Sequence, residues 1–437
     1  MKQNVLKNLD WICIICYLLL VTIGWITIYS TTVTDPQASV FNLNFFYGKQ
    51  LLFIGLSVLL IIFILAVDSK FFENFSTVFY IVSLVLLAGL FLFGKKINGS
   101  LSWYAIGPIT FQPSEFAKVA TALFFAKYLS NIHTDISRTK DLVYAVLILA
   151  IPGGLIILQP DAGSLLVFFS LIFVLHREGM SLSLLFYLLL GGLVFVTTLK
   201  FGIPITLLIS AIGVTLYVLL IKKRTKKIPF FNASIVTAIC VITTLATPFV
   251  FDSVMKQHHR NRFSLWLSLE DDPVKLAAMR RDFGYNSYMS ESAMTAGGIY
   301  GKGFLEGTRT KGGFVPEQHT DYIFTSLGEE WGLIGTISVV LLFSFLLLRL
   351  IVLAEKQRSN FSRIYGYCVA SILFIHFLVN IGMVIGLIPT IGIPLPFLAM
   401  AVLGSGHLPY FCLFSYDWML IAFTIGSIKL LERGFSD

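Results

Sequence analysis

The chain has 437 residues, of which 56% are hydrophobic and only 13% charged, with 40 Phe and a mean hydropathy of +0.83. That balance excludes a soluble globular domain and describes a polytopic membrane protein. The formal net charge of +8 sits in short loops between apolar runs, where it reports orientation in a bilayer and argues against a nucleic-acid partner.

Apolar runs long enough to span fall at 11–31, 50–67, 77–94, 111–130, 142–159, 162–176, 181–199, 203–222, 230–250, 321–350, 365–388 and 409–430, about twelve helices. The first is too long for a signal-peptide core and lacks a small-residue cleavage site, so it reads as a retained helix. With Lys2 and Lys7 in the cytoplasm, alternation places Lys127, Arg138, Lys140, the basic run 222–227, Lys356, Arg358, Arg363, Lys429 and Arg433 on the inner side. The positive-inside rule is then satisfied and both termini are cytoplasmic. The loop 95–110, the turn Gln159-Pro160-Asp161 and the segment 251–320 fall outside, and the mixed charges from Lys256 to Arg281 predict helices lying along the interface. Cys13, Cys16, Cys240, Cys368 and Cys412 show neither zinc-site spacing nor a disulfide framework and read as packing residues.

Glu115 and Lys118 lie three apart on a helix opened by Pro113, which predicts an internal ion pair; the other role for Lys118 is to meet an anionic head group. Asp161 precedes Gly163-Ser164 at the start of an apolar run and reads as a helix cap. The triplet Glu270-Asp271-Asp272 before Pro273 reads as a solvated loop rather than a metal site. The densest polar stretch runs from Gly297 to Gly332. There Asp321 opens an apolar helix, glycines at 297, 298, 301, 303, 307, 312 and 313 let backbone approach a ligand, and Lys302, Arg309 and Lys311 are near in sequence. A carboxylate facing several cations suits a reaction that deprotonates a hydroxyl while a phosphate-type leaving group is stabilised. Glu329 and Glu330 read as internal polar contacts.

The stretches FQPSEFAK (111–118), QPDAGS (159–164), AGGIYGKGF with its following GT (296–308), PEQHTDYIF (316–324), GEEWG (328–332) and NIGMVIGLIPTIGIPLPF (380–397) occur in this order. Together they resemble the SEDS family of shape, elongation, division and sporulation proteins, most nearly its RodA branch. The resemblance implies an all-α SEDS-type bundle with a ten-helix core, here extended by an inserted pair at 181–222. It also implies a peptidoglycan glycosyltransferase that polymerises lipid II at the outer face of the bacterial cytoplasmic membrane during elongation. Its partners would be a class B penicillin-binding protein and the elongation machinery. The family's essential acidic residue maps onto Asp321.

On this reading Asp321 is the general base on the 4-hydroxyl of an incoming lipid II, and one inverting displacement expels undecaprenyl pyrophosphate without a dedicated general acid. Lys302, Arg309, Arg260, Arg262, Lys118 and His319 are the candidates for binding substrate and offsetting its charge. No cofactor is firmly implied beyond a divalent cation, Mg2+ or Mn2+, as an accessory. Three places depart from the family's pattern: Gly99-Ser100-Leu101-Ser102 lacks the basic residue usual just before Trp103, and Met289 and Glu291 replace the usual Gln and Lys. The third is Ala399-Met400-Ala401-Val402-Leu403-Gly404, where the family reads Ser-Tyr-Gly-Gly-Ser-(Ser/Gly). Codons AGC TAT GGC GGT TCT GGG read one nucleotide late give those six residues, which predicts a frameshifted C-terminus from Ala399. The rival functions are a lipid II flippase, disfavoured by the outer placement of Asp321, and an inactive scaffold for a penicillin-binding protein.

Overall fold

A computed structural model describes residues 10–33, 39–97, 99–106, 109–226, 230–270, 272–399 and 411–412. In chain order the helices are α1 Trp11–Thr32, α2 Phe46–Ala66, α3 Ser69–Phe93, α4 Pro113–Leu129, α5 Thr139–Leu158, α6 Ala162–Phe169, α7 Ile172–Arg177, α8 Leu182–Thr225, α9 Phe230–Phe249, α10 Gln257–Leu267, α11 Pro273–Arg281, α12 Tyr285–Gly297, α13 Ile323–Glu355 and α14 Asn360–Val384. They fall into two compact units, Met1–Gly179 with Met289–Asp437, and Met180–Tyr288.

In the first unit, α14 is the central span, with 72% of its apolar window buried against 28% for α2 and α3. Leu87, Leu90, Ala117, Ile156 and Phe168 form a core where α3, α4, α5 and α6 meet. Polar residues set the helix starts. The Asp10 carboxylate accepts from Cys13 N at 2.9 Å, Asp68 accepts from Lys70 N at 3.1 Å, and Pro113 occupies the first turn of α4, where a missing N–H costs nothing. Asp10 also pairs with Arg349; although burial opposes it, this pairing and the cap hold the Asp10 carboxyl below its ordinary range.

The second unit is built around α8 and α9, packed through Val194, Val236 and Cys240. The Lys200 ammonium donates to Leu267 O, and Phe195 meets Phe263, which ties α8 to α10. Helices α10 and α11 are short and largely polar, as the mixed charges between Lys256 and Arg281 foretell.

Eight helices among the described residues are long and apolar enough to cross a membrane. The difference from about twelve has identifiable sources. The element α8 breaks at Gly202 (φ 78°), which divides it near the boundary between the expected runs 181–199 and 203–222. The short α4 holds an ion pair, and the expected sixth span is divided into α6 and α7. The run 409–430 and the predicted frameshift lie essentially outside the described residues.

The loop 95–110, placed from sequence only as an outer connection, contains β1 Lys95–Ile97, β2 Ser100–Ile106 and β3 Ile109–Phe111, antiparallel in that order, with β4 Phe411–Cys412 parallel to β3. Gly99 (φ 88°) makes the β1–β2 turn. Tyr104 Oη donates to Leu86 O at 2.8 Å and Leu101 N to Gln159 O at 3.1 Å, which fixes the sheet to α3 and to the turn before α6.

Candidate active site

Asp321 lies one residue before the helix-capping position of α13, at the end of a turn in which Thr320 N and Tyr322 N both donate to Glu317 O at 3.1 Å. Its backbone is held from α14. Asn380, fully buried, donates through Nδ2 to Asp321 O at 2.8 Å and to Ile393 O at 2.7 Å. One amide thereby fastens the Asp321 turn to the loop 385–399. The Asp321 carboxylate rests against that loop at Gly392 (φ 83°), where a Cβ would lie 3.1 Å from Oδ2. Glycine suits both the positive backbone angle and the tight clearance there.

The first two motif stretches meet beneath the same loop. Asp161 accepts from Ser164 N at 3.0 Å, Ser164 Oγ at 2.8 Å and Gln112 Nε2 at 3.2 Å, and Ser164 Oγ, its one proton on Asp161, lies 3.1 Å from Ser114 Oγ, from which it can accept. A Cβ on Gly163 would lie 3.2 Å from Gly392 O, so the cap of α6 supports the backbone against which Asp321 rests. On α4, the buried Lys118 ammonium is 2.8 Å from Glu115 Oε1 and 3.5 Å from His376 Nε2, while His376 Nδ1 is 3.3 Å from Pro394 O. A neutral His376 protonated on Nδ1 satisfies both contacts, donating to the carbonyl and accepting from the ammonium. Lys118 is thus committed to a buried chain that ends on the loop beside Asp321.

The glycine-rich stretch has a backbone task. Helix α13 breaks at Gly332 (φ 65°), which frees main-chain groups on both sides. Lys302 N donates to Glu329 O and Gly303 N to Glu330 O at 3.0 Å each, while Leu333 N donates to Gly298 O at 3.0 Å and Ile334 N to Ile299 O at 3.2 Å. A Cβ on Gly297 or Gly301 would collide with the carbonyl of Gly328 or Glu330 respectively. Glu329, fully buried, then organises the next turn. It accepts from Lys302 Nζ at 2.6 Å, Thr308 N at 3.1 Å, Arg309 N at 3.0 Å, and Thr310 N and Oγ1 at 2.9 and 2.8 Å. Lys302 is therefore paired, and Arg309 is partly exposed on a loop whose backbone Glu329 holds. Ser30 Oγ donates to Glu330 Oε2 at 2.6 Å, tying α1 to the same helix.

His319 is 3.4 Å from Thr31 Oγ1 and packs on Phe46 with ring centroids 4.8 Å apart. Burial disfavours its charged form and lowers its pKa to about 4, so it is neutral at physiological pH. Arg260 and Arg262 lie on α10 of the second unit, where Arg260 donates to Asp252 O at 3.1 Å and Gln257 Oε1 at 2.7 Å. Asp272 caps α11, and no group of three His, Cys, Asp or Glu that could hold a metal occurs among the described residues. Asn380 and Gly392 were missed as site residues from sequence, although a lone Asn within an apolar run was the available signal.

Residues 10–408 match the FtsW/RodA/SpoVE family, described as cell cycle proteins. The chain is 28% identical to the peptidoglycan glycosyltransferase MrdB of Escherichia coli K12 over 344 residues, covering 78% of this chain and 77% of that protein. It is also 28% identical to the peptidoglycan glycosyltransferase RodA of Treponema pallidum, covering 90% and 94% of the two chains. Among solved structures, a chain of a peptidoglycan synthase complex that coordinates polymerization and crosslinking matches with a TM-score of 0.66 at 23% identity, covering 98% of this chain and 99% of its own.

Proposed function

The chain belongs to the FtsW/RodA/SpoVE family of cell cycle proteins, and from that membership we propose a mechanism for its glycosyl transfer. It is a multi-pass membrane protein and a peptidoglycan glycosyltransferase. The substrate in this reading is lipid II, and Asp321 is the general base. Its carboxylate takes the proton from the acceptor 4-hydroxyl as that oxygen attacks the donor's anomeric carbon. The bond to undecaprenyl pyrophosphate breaks with inversion, and the leaving group departs with the electron pair as a stable anion, so no general acid is required.

The observation that carries this reading is the double clamp of Asn380 on Asp321 O and Ile393 O, which orients a carboxylate at one end of the bundle. Preorganisation of that kind is what a positioned base needs. Arg309 and Lys302, on the loop that Glu329 folds, supply positive charge for the pyrophosphate, whereas Lys118 acts by holding the loop beside Asp321. A divalent cation would be carried by the pyrophosphate itself, since the described residues hold no group of three His, Cys, Asp or Glu fit to bind one, and would supply further charge neutralisation. The partner in this reading is a class B penicillin-binding protein. The setting is the bacterial cytoplasmic membrane, with both termini inside and Asp321 outside, during cell elongation.

The test is incubation of the purified protein and its cognate penicillin-binding protein with lipid II. The reading expects muramidase-sensitive glycan strands and released undecaprenyl pyrophosphate. A flippase would instead move lipid II across vesicle membranes without making polymer, and a scaffold would do neither.

A further inference from the structure

Two lysines are buried among the described residues, and their circumstances differ. Lys118 is 2.8 Å from a carboxylate oxygen of Glu115. Lys49, in the first turn of α2 and 7% exposed, has no carboxylate within ion-pair distance among the described residues; its ammonium instead lies 5.6 Å from the centroid of the Phe46 ring. An ammonium withdrawn from water with one aromatic face in return is a costly arrangement, and retaining a cation there calls for a reason.

The surroundings supply one. The Phe46 ring beside Lys49 packs on His319 at 4.8 Å, and His319 is two residues before Asp321. Two more buried groups neighbour these residues in sequence: Gln50 Oε1, next to Lys49, and Gln318 Oε1, next to His319, accept no hydrogen bond among the described residues. The start of α2 is also rigidly placed. Trp25 Nε1 donates to Tyr47 O at 3.1 Å, the Tyr29 and Phe45 rings pack on Tyr47, and a Cβ on Gly48 would collide with Asn42 O. A fixed cation and unsatisfied acceptors match a ligand that carries both phosphate and hydroxyl groups.

We infer that Lys49 is a phosphate-binding residue of the Asp321 site, its ammonium meeting the pyrophosphate of a prenyl-linked sugar while Gln50 and Gln318 accept from sugar hydroxyls. This rests on the reading of Asp321 as the centre of lipid-linked glycosyl transfer. Lys49 is distinct from Lys302 and Lys118 because, among the described residues, no carboxylate is paired with its charge.

The test measures binding of undecaprenyl pyrophosphate, undecaprenol and inorganic pyrophosphate to the full chain in nanodiscs. Wild type, Lys49→Met, Lys49→Arg and Asp321→Asn are compared, with lipid II polymerisation assayed in parallel. Lys49→Met is expected to bind undecaprenyl pyrophosphate about tenfold or more weakly, as for loss of a charge-assisted hydrogen bond, with undecaprenol unaffected. Its thermal midpoint stays equal to or above that of wild type, because an unpaired buried charge is gone. Lys49→Arg and Asp321→Asn keep most of the affinity. Wild-type affinity in Lys49→Met overturns the inference, and so does a Lys49→Met protein that loses stability or does not fold, since Lys49 would then be structural. Equal Lys49-dependent binding of inorganic pyrophosphate overturns the lipid-linked assignment. A wild type that binds the prenyl pyrophosphate through Lys49 but makes no polymer sinks the glycosyltransferase mechanism and leaves this site standing.

Discussion

Asp321 acquires its geometry from residues far from it in sequence. Asn380 is the plainest case, since one side-chain amide fixes the carbonyl of the Asp321 turn and that of the loop beneath it. Asn380→Ala removes both bonds and leaves two carbonyls to find other donors, a cost of about 1–3 kcal/mol in stability. The expected signature is a fall in kcat of about 100-fold, because a displaced base loses its alignment, with KM for lipid II changed far less. Steady-state kinetics on the folded variant check this split. His319 makes a separate prediction. Its pKa is about 4 in the folded chain against an ordinary value of 6.5, so as pH falls the unfolded chain takes up this proton first. The stability associated with a neutral His319 is complete above the ordinary value and is lost as pH falls from there toward the folded value. Thermal midpoints at pH 7.5 and pH 5 should differ more for wild type than for His319→Gln, and equal differences would contradict the assignment.

Among the elements, the broken helix α13 and the glycine-rich strap across it are one device. The break at Gly332 frees backbone groups inside a span, and residues 298–303 satisfy them pair by pair. Gly301 has both a positive φ of 79° and no room for a Cβ against Glu330 O, so Gly301→Ala costs at least about 1–3 kcal/mol in backbone strain alone, with the collision added. A large drop in thermal midpoint is the expected result. Glu329→Ala leaves Lys302 and the donors of Thr308, Arg309 and Thr310 without their shared acceptor, a loss of about 3–5 kcal/mol if it behaves as a broken buried pair. The sequence marked this region correctly as the place where polar groups gather, because charges and glycines beside an apolar run are visible by composition. Which partners they choose was not legible. Lys302 pairs with Glu329, 27 residues away, and that depends on where the helix breaks. The short strands at 95–111 escaped for a different reason: they pair with one another in local hairpins, but strands as short as Lys95–Ile97 and Ile109–Phe111 leave no alternating pattern to read.

Across the whole molecule, the membrane class and most of the helix positions were legible because a bilayer imposes length and apolarity on each span. The runs 111–130 and 162–176 were legible too, as α4 and as α6 with α7; what the sequence did not show was the division of the second run into two short helices. The six motif stretches serve as the structural joints of one end of the bundle. Gln112, Ser114, Asp161 and Ser164 support the loop on which Asp321 rests, while the strap and the GEEWG stretch close the break in α13. The measurement that tests the account most directly is lipid II polymerisation by wild type and Asp321→Asn, each folded and bound to its cognate penicillin-binding protein. Loss of a general base predicts a rate lower by about 100- to 10,000-fold in the variant, with lipid II binding retained. Glycan synthesis by Asp321→Asn at the wild-type rate would remove Asp321 from the chemistry and contradict the account.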